Sequence, residues 1–237
     1  RASGYSPRGD GYRISMTTLD MVGDGGVFTS IEDLVHWVNA LDYDGLEDGL
    51  SAMLEDRAIL NNGESISYAF GQAHGAYRGL PTIGHGGSFV GFRAAITRFP
   101  EQGTSFMTIC NRSDAAPGRL IERVADVVLA DHVGPRRAAQ SGRGSRSATP
   151  DPSPVPNVDD YVGSFYSAEL DIEYVLSRSG DALHLRAGRA IDGEVLRVGL
   201  DTLVTGGRTL RFSRAQGRVT GFEIDAGRVQ HVAFVRN

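Results

Sequence analysis

Lysine is missing from the sequence: all 24 of its basic residues are arginine. Without lysine the chain has no lysine general base, no lysine Schiff base and no lysine-containing phosphate-binding loop. Cysteine occurs once, as Cys110 in the apolar run SFMTIC, so an internal disulfide is excluded and a buried core position is favoured over a nucleophile. Chemistry that depends on lysine or on paired cysteines is therefore not expected from this chain alone.

Long apolar runs and an excess of positive charge are missing as well. No run approaches the roughly 18 apolar residues that span a bilayer, and the opening stretch RASGYSPRGDGYR has no hydrophobic signal core. The net charge of −5 gives no general attraction for phosphate backbones. The sequence predicts neither a membrane-spanning segment nor a nucleic-acid partner, and it contains no signal that indicates a compartment.

One stretch of biased composition divides the chain. Residues 134–157 are rich in Pro, Gly, Ser and Arg and contain almost no large apolar side chains. Such a composition buries too little apolar surface to compensate for the entropy lost on ordering, which predicts a flexible to semi-extended linker. The linker separates a first domain, residues 1–133, from a shorter second domain, residues 158–237.

Helical patterns occur three times in the first domain. The stretch TSIED at 29–33 is of capping-box type, with acidic residues in the first turn, and apolar residues recur after it at helical spacing. A second short helix is expected over 46–55 and a third over 117–132. These helices are expected to bury one apolar face each.

Strand patterns complete the first domain and fill the second. Phe92–Phe99 and Thr104–Cys110 are predicted to form a hairpin with PEQG as its turn. Residues 158–237 contain about eight short strand-like runs, separated by turn signals such as SGD, GG and QG, which is typical of an antiparallel sandwich or barrel. The core of this second part is expected to contain Phe212, Phe222 and Phe234.

Familiar catalytic motifs are not found in the chain. The row around Ser88 reads GGSFV and fails the G-x-S-x-G pattern at its last position, S-x-x-K requires lysine, and no tyrosine begins Tyr-x-Asn. The histidines are isolated, with no H-E-x-x-H and no C-x-x-C nearby. The sequence therefore predicts no metal site and no cofactor, and it offers no nucleophile.

The stretch GHGGS, from Gly84 to Ser88, is the remaining candidate site. Two glycines after His85 allow a ligand to approach the backbone closely, and a strand edge offers N–H groups to a carbonyl or an oxyanion. A surface histidine in a glycine-rich turn has the same composition. From the residues alone, both interpretations stay open.

The order of two motifs favours the first interpretation. GDGGVFTS at 23–30 precedes GHGGSFVGF at 84–92, and the RFPEQGTSFMTICN hairpin and a helix follow. In this order, residues 3–133 resemble the later half of the serine β-lactamase and penicillin-binding-protein-like hydrolases, in the branch of class C β-lactamases, D-aminopeptidases and related esterases. The resemblance implies an α+β fold with an incomplete antiparallel sheet and packed helices.

Roles for the GHGGS residues follow from that resemblance. His85, Gly86 and Gly87 match the third motif of the family, in which His85 would orient protons or a substrate carboxylate while Gly86 and Gly87 line the substrate. The backbone N–H of Ser88 would form half of an oxyanion hole. Many β-lactamases carry a hydroxyl residue where this chain has Gly86, so an esterase or aminopeptidase activity is at least as well supported as one on β-lactams.

The first two motifs of the family, which hold the nucleophilic serine with its lysine and the proton-shuttling tyrosine, have no counterpart here. The resemblance implies that they lie N-terminal to Arg1, in a remainder of the same polypeptide, and that the parent protein acts on a small-molecule or peptide substrate. This chain alone is then expected to be inactive. It is also expected to expose an unpaired strand edge and an uncovered apolar face.

The second domain resembles the lipocalin-like β-barrel that follows many of these hydrolases, through YVGSFYSAELDIEY, LRFSRAQGRVTGFEI and HVAFVRN. The resemblance identifies no binding residue in it. Two alternatives to a hydrolase fragment stay open: a non-catalytic binding module whose barrel holds an apolar ligand or peptide, and a truncated pseudoenzyme.

Overall fold

The structure is a computed structural model, and its two compact units divide the chain between Gln140 and Ser141. Much of the predicted linker, residues 136–154, lies outside the described residues. The described residues are 2–17, 23, 25–43, 45–135, 155–188 and 191–237.

The first unit is built on a four-stranded antiparallel sheet whose strands are neighbours in chain order. A separate two-stranded sheet and three helices accompany it. The strands are β1 (Tyr5–Arg8), β2 (Gly11–Ile14), β3 (Ala73–Tyr77), β4 (Leu80–Phe89), β5 (Phe92–Phe99) and β6 (Thr104–Cys110), of which β3 to β6 form the main sheet. The helices are α1 (Ile31–Asp42), α2 (Leu50–Glu55) and α3 (Pro117–Val128), and a short 3₁₀ turn covers Pro100–Gln102.

The helix starts show where local sequence rules succeed and fail. Ser30 caps α1 by accepting from the Asp33 N–H at 3.2 Å, and the Asp33 carboxylate accepts from the Ser30 N–H at 3.3 Å, so the predicted capping box is confirmed. The prediction that α2 begins at Leu46 is wrong, because Gly49 precedes the helix with φ 77°, a left-handed conformation. The third helix likewise ends at Val128, short of the predicted residue 132.

Two faces of the sheet carry different helices. On β5, Phe99 packs with Ala125 and Leu129 of the α3 region, whereas its neighbour Arg98 contacts Asp42 at the end of α1. Successive side chains of a strand point to opposite faces, so α1 and α3 lie on opposite sides of the sheet. The sheet is therefore a layer with helices on both faces, and the combination of an antiparallel sheet and packed helices agrees with the predicted α+β class.

Part of the apolar surface of this unit is uncovered. On α3, Ile121 and Ala125 are buried, but four other apolar side chains of the helix are at least 42% exposed. Strand β6 pairs only with β5 among the strands of the described part of the chain, so its second edge is free there. The expected free edge and uncovered apolar face are thus both present. The exposed α3 residues are Leu120, Val124, Val127 and Val128.

Tyr77 joins the end of β3 to α3 and gives a pH-dependent signature. Its hydroxyl donates to Asp126 Oδ1 at 2.8 Å. Burial, followed by the hydrogen bond to that carboxylate, raises the pKa of Tyr77 from 10.0 to about 12. Because the pKa is higher in the folded state, this contribution to stability is present below pH 10 and is lost as the pH rises towards 12. In an absorbance titration of phenolate, Tyr77→Phe should remove the part of the absorbance change that occurs near pH 12. Loss of the part that occurs near pH 10 would contradict this assignment.

The second unit is a closed antiparallel barrel of eight strands, which confirms the predicted all-β second part. Consecutive strands are neighbours, and the ring closes where β14 pairs with β7. The strands are β7 (Gly163–Ser167), β8 (Ile172–Ser179), β9 (Ala182–Ala187), β10 (Ile191–Gly199), β11 (Thr202–Thr205), β12 (Arg208–Ala215), β13 (Arg218–Ala226) and β14 (Val229–Arg236), preceded by a 3₁₀ turn at Val158–Asp160.

Aromatic side chains fill the interior of the barrel. Phe222 stacks on Phe234 at 4.8 Å between ring centroids and also contacts Phe165 and Phe212, at 5.1 and 5.2 Å. All four rings are at most 8% exposed, so the predicted phenylalanine core is confirmed. An interior occupied by packed rings counts against an apolar ligand held inside the barrel.

The seam that closes the barrel is short. Between β14 and β7 the paired residues are Val235 with Tyr166 and Arg236 with Phe165, and just beyond them the Asn237 N–H donates to the Ser164 carbonyl at 3.0 Å. The Arg236 guanidinium lies over the Phe165 ring at 4.8 Å and donates to the carbonyls of Val162 and Asp160, both at 2.7 Å. One arginine thus reinforces a seam that has few backbone pairs.

No helix among the described residues is long and apolar enough to cross a bilayer.

Candidate functional site

The GHGGS stretch lies on β4, at a place where the strand has a neighbour on one side only. Strand β3 pairs with β4 no further than Ala73 with Gly84, whereas β5 continues alongside β4 to the end of the strand. In the described part of the chain, no strand pairs with residues 85–89 on the side of β3. The candidate residues therefore lie on a free sheet edge.

The hydrogen bonds of β3 decide which backbone groups face that edge. In an antiparallel sheet the N–H and C=O of one residue point to one neighbour and those of the next residue to the other. The His74 N–H donates to the Ser67 carbonyl, on the side of β3 that faces away from β4. The N–H and C=O of the preceding residue, Ala73, therefore point to β4, and its partner Gly84 points its own N–H and C=O to β3. With an unbroken register, the N–H and C=O groups of Gly86 and Ser88 then point to the free edge.

The three glycines before Ser88 differ in what they allow. A Cβ on Gly84 would lie 2.1 Å from the Ile96 carbonyl oxygen, so the close approach of β5 requires glycine there. A Cβ on Gly86 or Gly87 would come no closer than 3.7 and 3.6 Å to its neighbours, which is ordinary contact. Packing therefore explains the first glycine, whereas a side chain at either of the other two positions would make only ordinary contacts.

The His85 ring is exposed and is held at both of its nitrogens. Nδ1 lies 2.7 Å from the Gly86 carbonyl oxygen, and Nε2 lies 2.9 Å from the Tyr68 hydroxyl oxygen. The two rings meet edge to face, with centroids 5.8 Å apart. The structure thus brings His85, Gly86, Gly87 and Ser88 together on one edge and adds Tyr68 to them.

Sequence reasoning did not identify Tyr68. It fails the Tyr-x-Asn test, since Phe70 stands where asparagine is required, and it lies 17 positions before His85. The contact arises because the short hairpin before β3 brings Tyr68 beside the strand that pairs with β4. No spacing rule applied to the sequence contains that information.

Cys110 and the GDGGVFTS motif lie outside the GHGGS stretch. Cys110, predicted to be buried, is only half-buried because it ends the edge strand β6. In the GDGGVFTS motif, Val27 and Phe28 are strongly exposed, and Asp24 lies outside the described residues. Among the residues that the structure describes, no group of three or more His, Cys, Asp or Glu side chains could hold a metal ion.

Comparisons with known proteins relate about half of the chain to hydrolases. No family model matches the chain. D-aminopeptidases of Cereibacter sphaeroides, strains ATCC 17029 and KD131, are each 27% identical over 124 residues, which is 51% of this chain and 23% of those proteins. This likeness supports a relationship to hydrolases of that kind. The chain spans about a quarter of the length of these relatives.

A solved structure shares the fold of the chain. The crystal structure of SurE superposes with a TM-score of 0.58 at 20% identity and covers 100% of this chain and 56% of the SurE chain. The octameric penicillin-binding protein homologue from Pyrococcus abyssi gives a TM-score of 0.49 at 16% identity, over 99% of this chain and 53% of that one. The match to SurE supports the fold and leaves the activity to be argued from the site.

Proposed function

We propose that this chain supplies one wall of the active site of a serine hydrolase related to the D-aminopeptidases. The reaction proceeds through an acyl-enzyme on an ester, amide or β-lactam bond of a small-molecule or peptide substrate. The observation that carries the proposal is the free edge of β4, where the N–H groups of Gly86 and Ser88 lie next to an exposed His85.

The Ser88 N–H is the proposed oxyanion-hole donor, because it points to the free edge of β4. A substrate carbonyl placed at the free edge accepts from this N–H, and the bond strengthens as negative charge develops on the oxygen. Gly86 and Gly87 have no side chain to cover the strand, so a substrate can lie against their backbone. His85, exposed on the same stretch, orients protons or a substrate carboxylate.

The nucleophile comes from outside these 237 residues. A serine activated by lysine, together with a proton-shuttling tyrosine, is supplied by an N-terminal remainder of the same polypeptide. Two observations support this part of the proposal: the chain contains no lysine, and α3 and β6 offer an uncovered apolar face and a free edge on which further elements can pack. Gly86, which has no hydroxyl to donate to a carboxylate, favours an aminopeptidase or esterase over a β-lactamase.

A pair of substitutions at Ser88 tests the oxyanion role in the protein expressed from the complete reading frame. Ser88→Pro removes the N–H, and because that N–H faces the free edge no ladder hydrogen bond is lost. We expect kcat/KM for D-alanine p-nitroanilide or p-nitrophenyl acetate to fall about 100-fold, as for other oxyanion donors. Ser88→Ala keeps the N–H and should change kcat/KM less than about threefold, within the range of a neutral surface substitution.

Two results would contradict the proposal. One is equal activity of the alanine and proline variants. The other is hydrolysis of nitrocefin or p-nitrophenyl acetate by the isolated chain that disappears on Ser88→Ala, because the Ser88 side chain would then be the nucleophile. A complete reading frame without S-x-x-K would favour the pseudoenzyme alternative.

A further inference from the structure

Tyr68 is fixed beside the candidate site by its backbone. Its carbonyl accepts from the Ala58 N–H at 2.8 Å, and the residue forms an antiparallel bridge with Ala73, the first residue of β3. Next to it, Ala69 is buried and its N–H donates to the Gln72 carbonyl at 2.8 Å. The Tyr68 ring therefore projects from a short hydrogen-bonded hairpin.

The contacts of His85 determine which of its nitrogens carries a proton. The Gly86 carbonyl oxygen can only accept, so the 2.7 Å contact requires that Nδ1 donates. In a neutral imidazole with Nδ1 protonated, Nε2 is an acceptor. The Tyr68 hydroxyl, 2.9 Å from Nε2, is then the donor of the second bond.

These two bonds form a directed series from the Tyr68 hydroxyl through the His85 ring to the Gly86 carbonyl. Hydrogen bonds in series polarise one another, so each favours the same arrangement of protons. The series also fixes the ring in two directions, since each nitrogen has a partner. A histidine that transfers protons needs such an arrangement, because the hydrogen bond made by one ring nitrogen sets whether the second ring nitrogen is protonated.

We propose that Tyr68 is a positioning residue for His85: its hydroxyl donates to Nε2, supports the Nδ1–H tautomer that the Gly86 carbonyl requires, and holds the ring at the edge of β4. The kinetic part of this inference rests on the proposed hydrolase function, whereas the tautomer assignment does not. Tyr68 acts through His85 and is assigned no contact with the substrate.

The tautomer can be measured on the chain as it is, by long-range ¹H–¹⁵N NMR of the histidine rings at a pH at which His85 is neutral. We expect the Nδ1–H form of His85 to dominate in the wild type. Tyr68→Phe should change the tautomer ratio roughly fivefold in favour of Nε2–H, the size expected from one net hydrogen bond. Tyr43→Phe is the matched control, since Tyr43 is 76% exposed, and should leave the ratio unchanged.

Two outcomes would overturn the inference: a wild-type His85 that is mainly Nε2–H, or a ratio that is the same in Tyr68→Phe and wild type. The first needs no variant and is therefore independent of any folding defect; unchanged signals of the other histidines report that the variant is folded. In the complete hydrolase, Tyr68→Phe should lower kcat more than it raises KM. Suppose that Tyr68→Phe shifts the tautomer ratio while Ser88→Pro and Ser88→Ala have the same kcat/KM. In that case the proposed function fails and the positioning role of Tyr68 stands.

Discussion

Replacing Phe222 by alanine should lower the free energy of unfolding of the barrel by about 4 kcal/mol, a large fraction of the roughly 5–15 kcal/mol that stabilises a typical domain. Phe222 is 2% exposed and contacts three other phenylalanine rings and Tyr174, so truncation removes the centre of the core. The cavity cannot collapse easily, because the closed ring of strands fixes the positions of the surrounding rings.

Hydrogen–deuterium exchange is the suitable measurement, since it reports on each unit separately. Peptides from residues 155–237 should lose protection in Phe222→Ala. Leu200→Ala provides the control: Leu200 lies in the turn after β10, is 80% exposed, and should cost less than about 0.5 kcal/mol. Protection of the barrel peptides equal to that of the control would show that the aromatic cluster does not stabilise the barrel.

Replacing Arg98 by methionine should destabilise the first unit by about 3 kcal/mol. Arg98 is 3% exposed and donates through Nε to Asp42 Oδ1 at 2.8 Å and through its other nitrogens to Asp42 and Glu55. Removing the cation leaves two carboxylates, each about a quarter exposed, facing an apolar side chain. The expected cost is at the lower end for a buried ion pair because both carboxylates remain partly hydrated.

A second arginine provides the comparison. Arg112 pairs with Asp114 at 2.7 Å, but both side chains are exposed, so Arg112→Met should cost less than about 1 kcal/mol. The free energies of unfolding can be compared by denaturant titration, with exchange of peptides from the first unit as the probe. An Arg98 variant as stable as the Arg112 variant would rule out the ion cluster as the connection between the helices and the sheet.

Local elements could be read from the sequence with good accuracy. The hairpin of Phe92–Phe99 and Thr104–Cys110 has the predicted bounds, because its period-2 pattern and its turn lie within one short stretch. The start of α1 was equally readable, since the capping box at Ser30 involves neighbouring residues. The turn signals of the second unit predict about eight strands, close to the eight of the barrel, and the predicted core residues Phe212, Phe222 and Phe234 are buried.

Features that depend on contacts between distant residues could not be read in the same way. Arg98 looks like an ordinary polar residue of a strand, and only the placement of α1 and α2 over β5 makes it a buried ion-pair partner. The Tyr68–His85 pair depends on a hairpin with no distinctive spacing. Ring closure, which separates a barrel from a sandwich, depends on the pairing of β14 with β7.

That pairing has a consequence for the order of folding events. Each hairpin of the barrel joins strands that are close in sequence, whereas the seam brings together Tyr166 and Val235 across the whole unit. Loop-closure entropy opposes so distant a contact until other interactions have shortened the effective loop, so the hairpins form early and the ring closes last. With two paired positions and one further backbone hydrogen bond, from Asn237 to Ser164, we expect the seam to be the first place to open when the native state fluctuates. We expect the contacts of the Arg236 guanidinium with the carbonyls of Val162 and Asp160 to slow that opening.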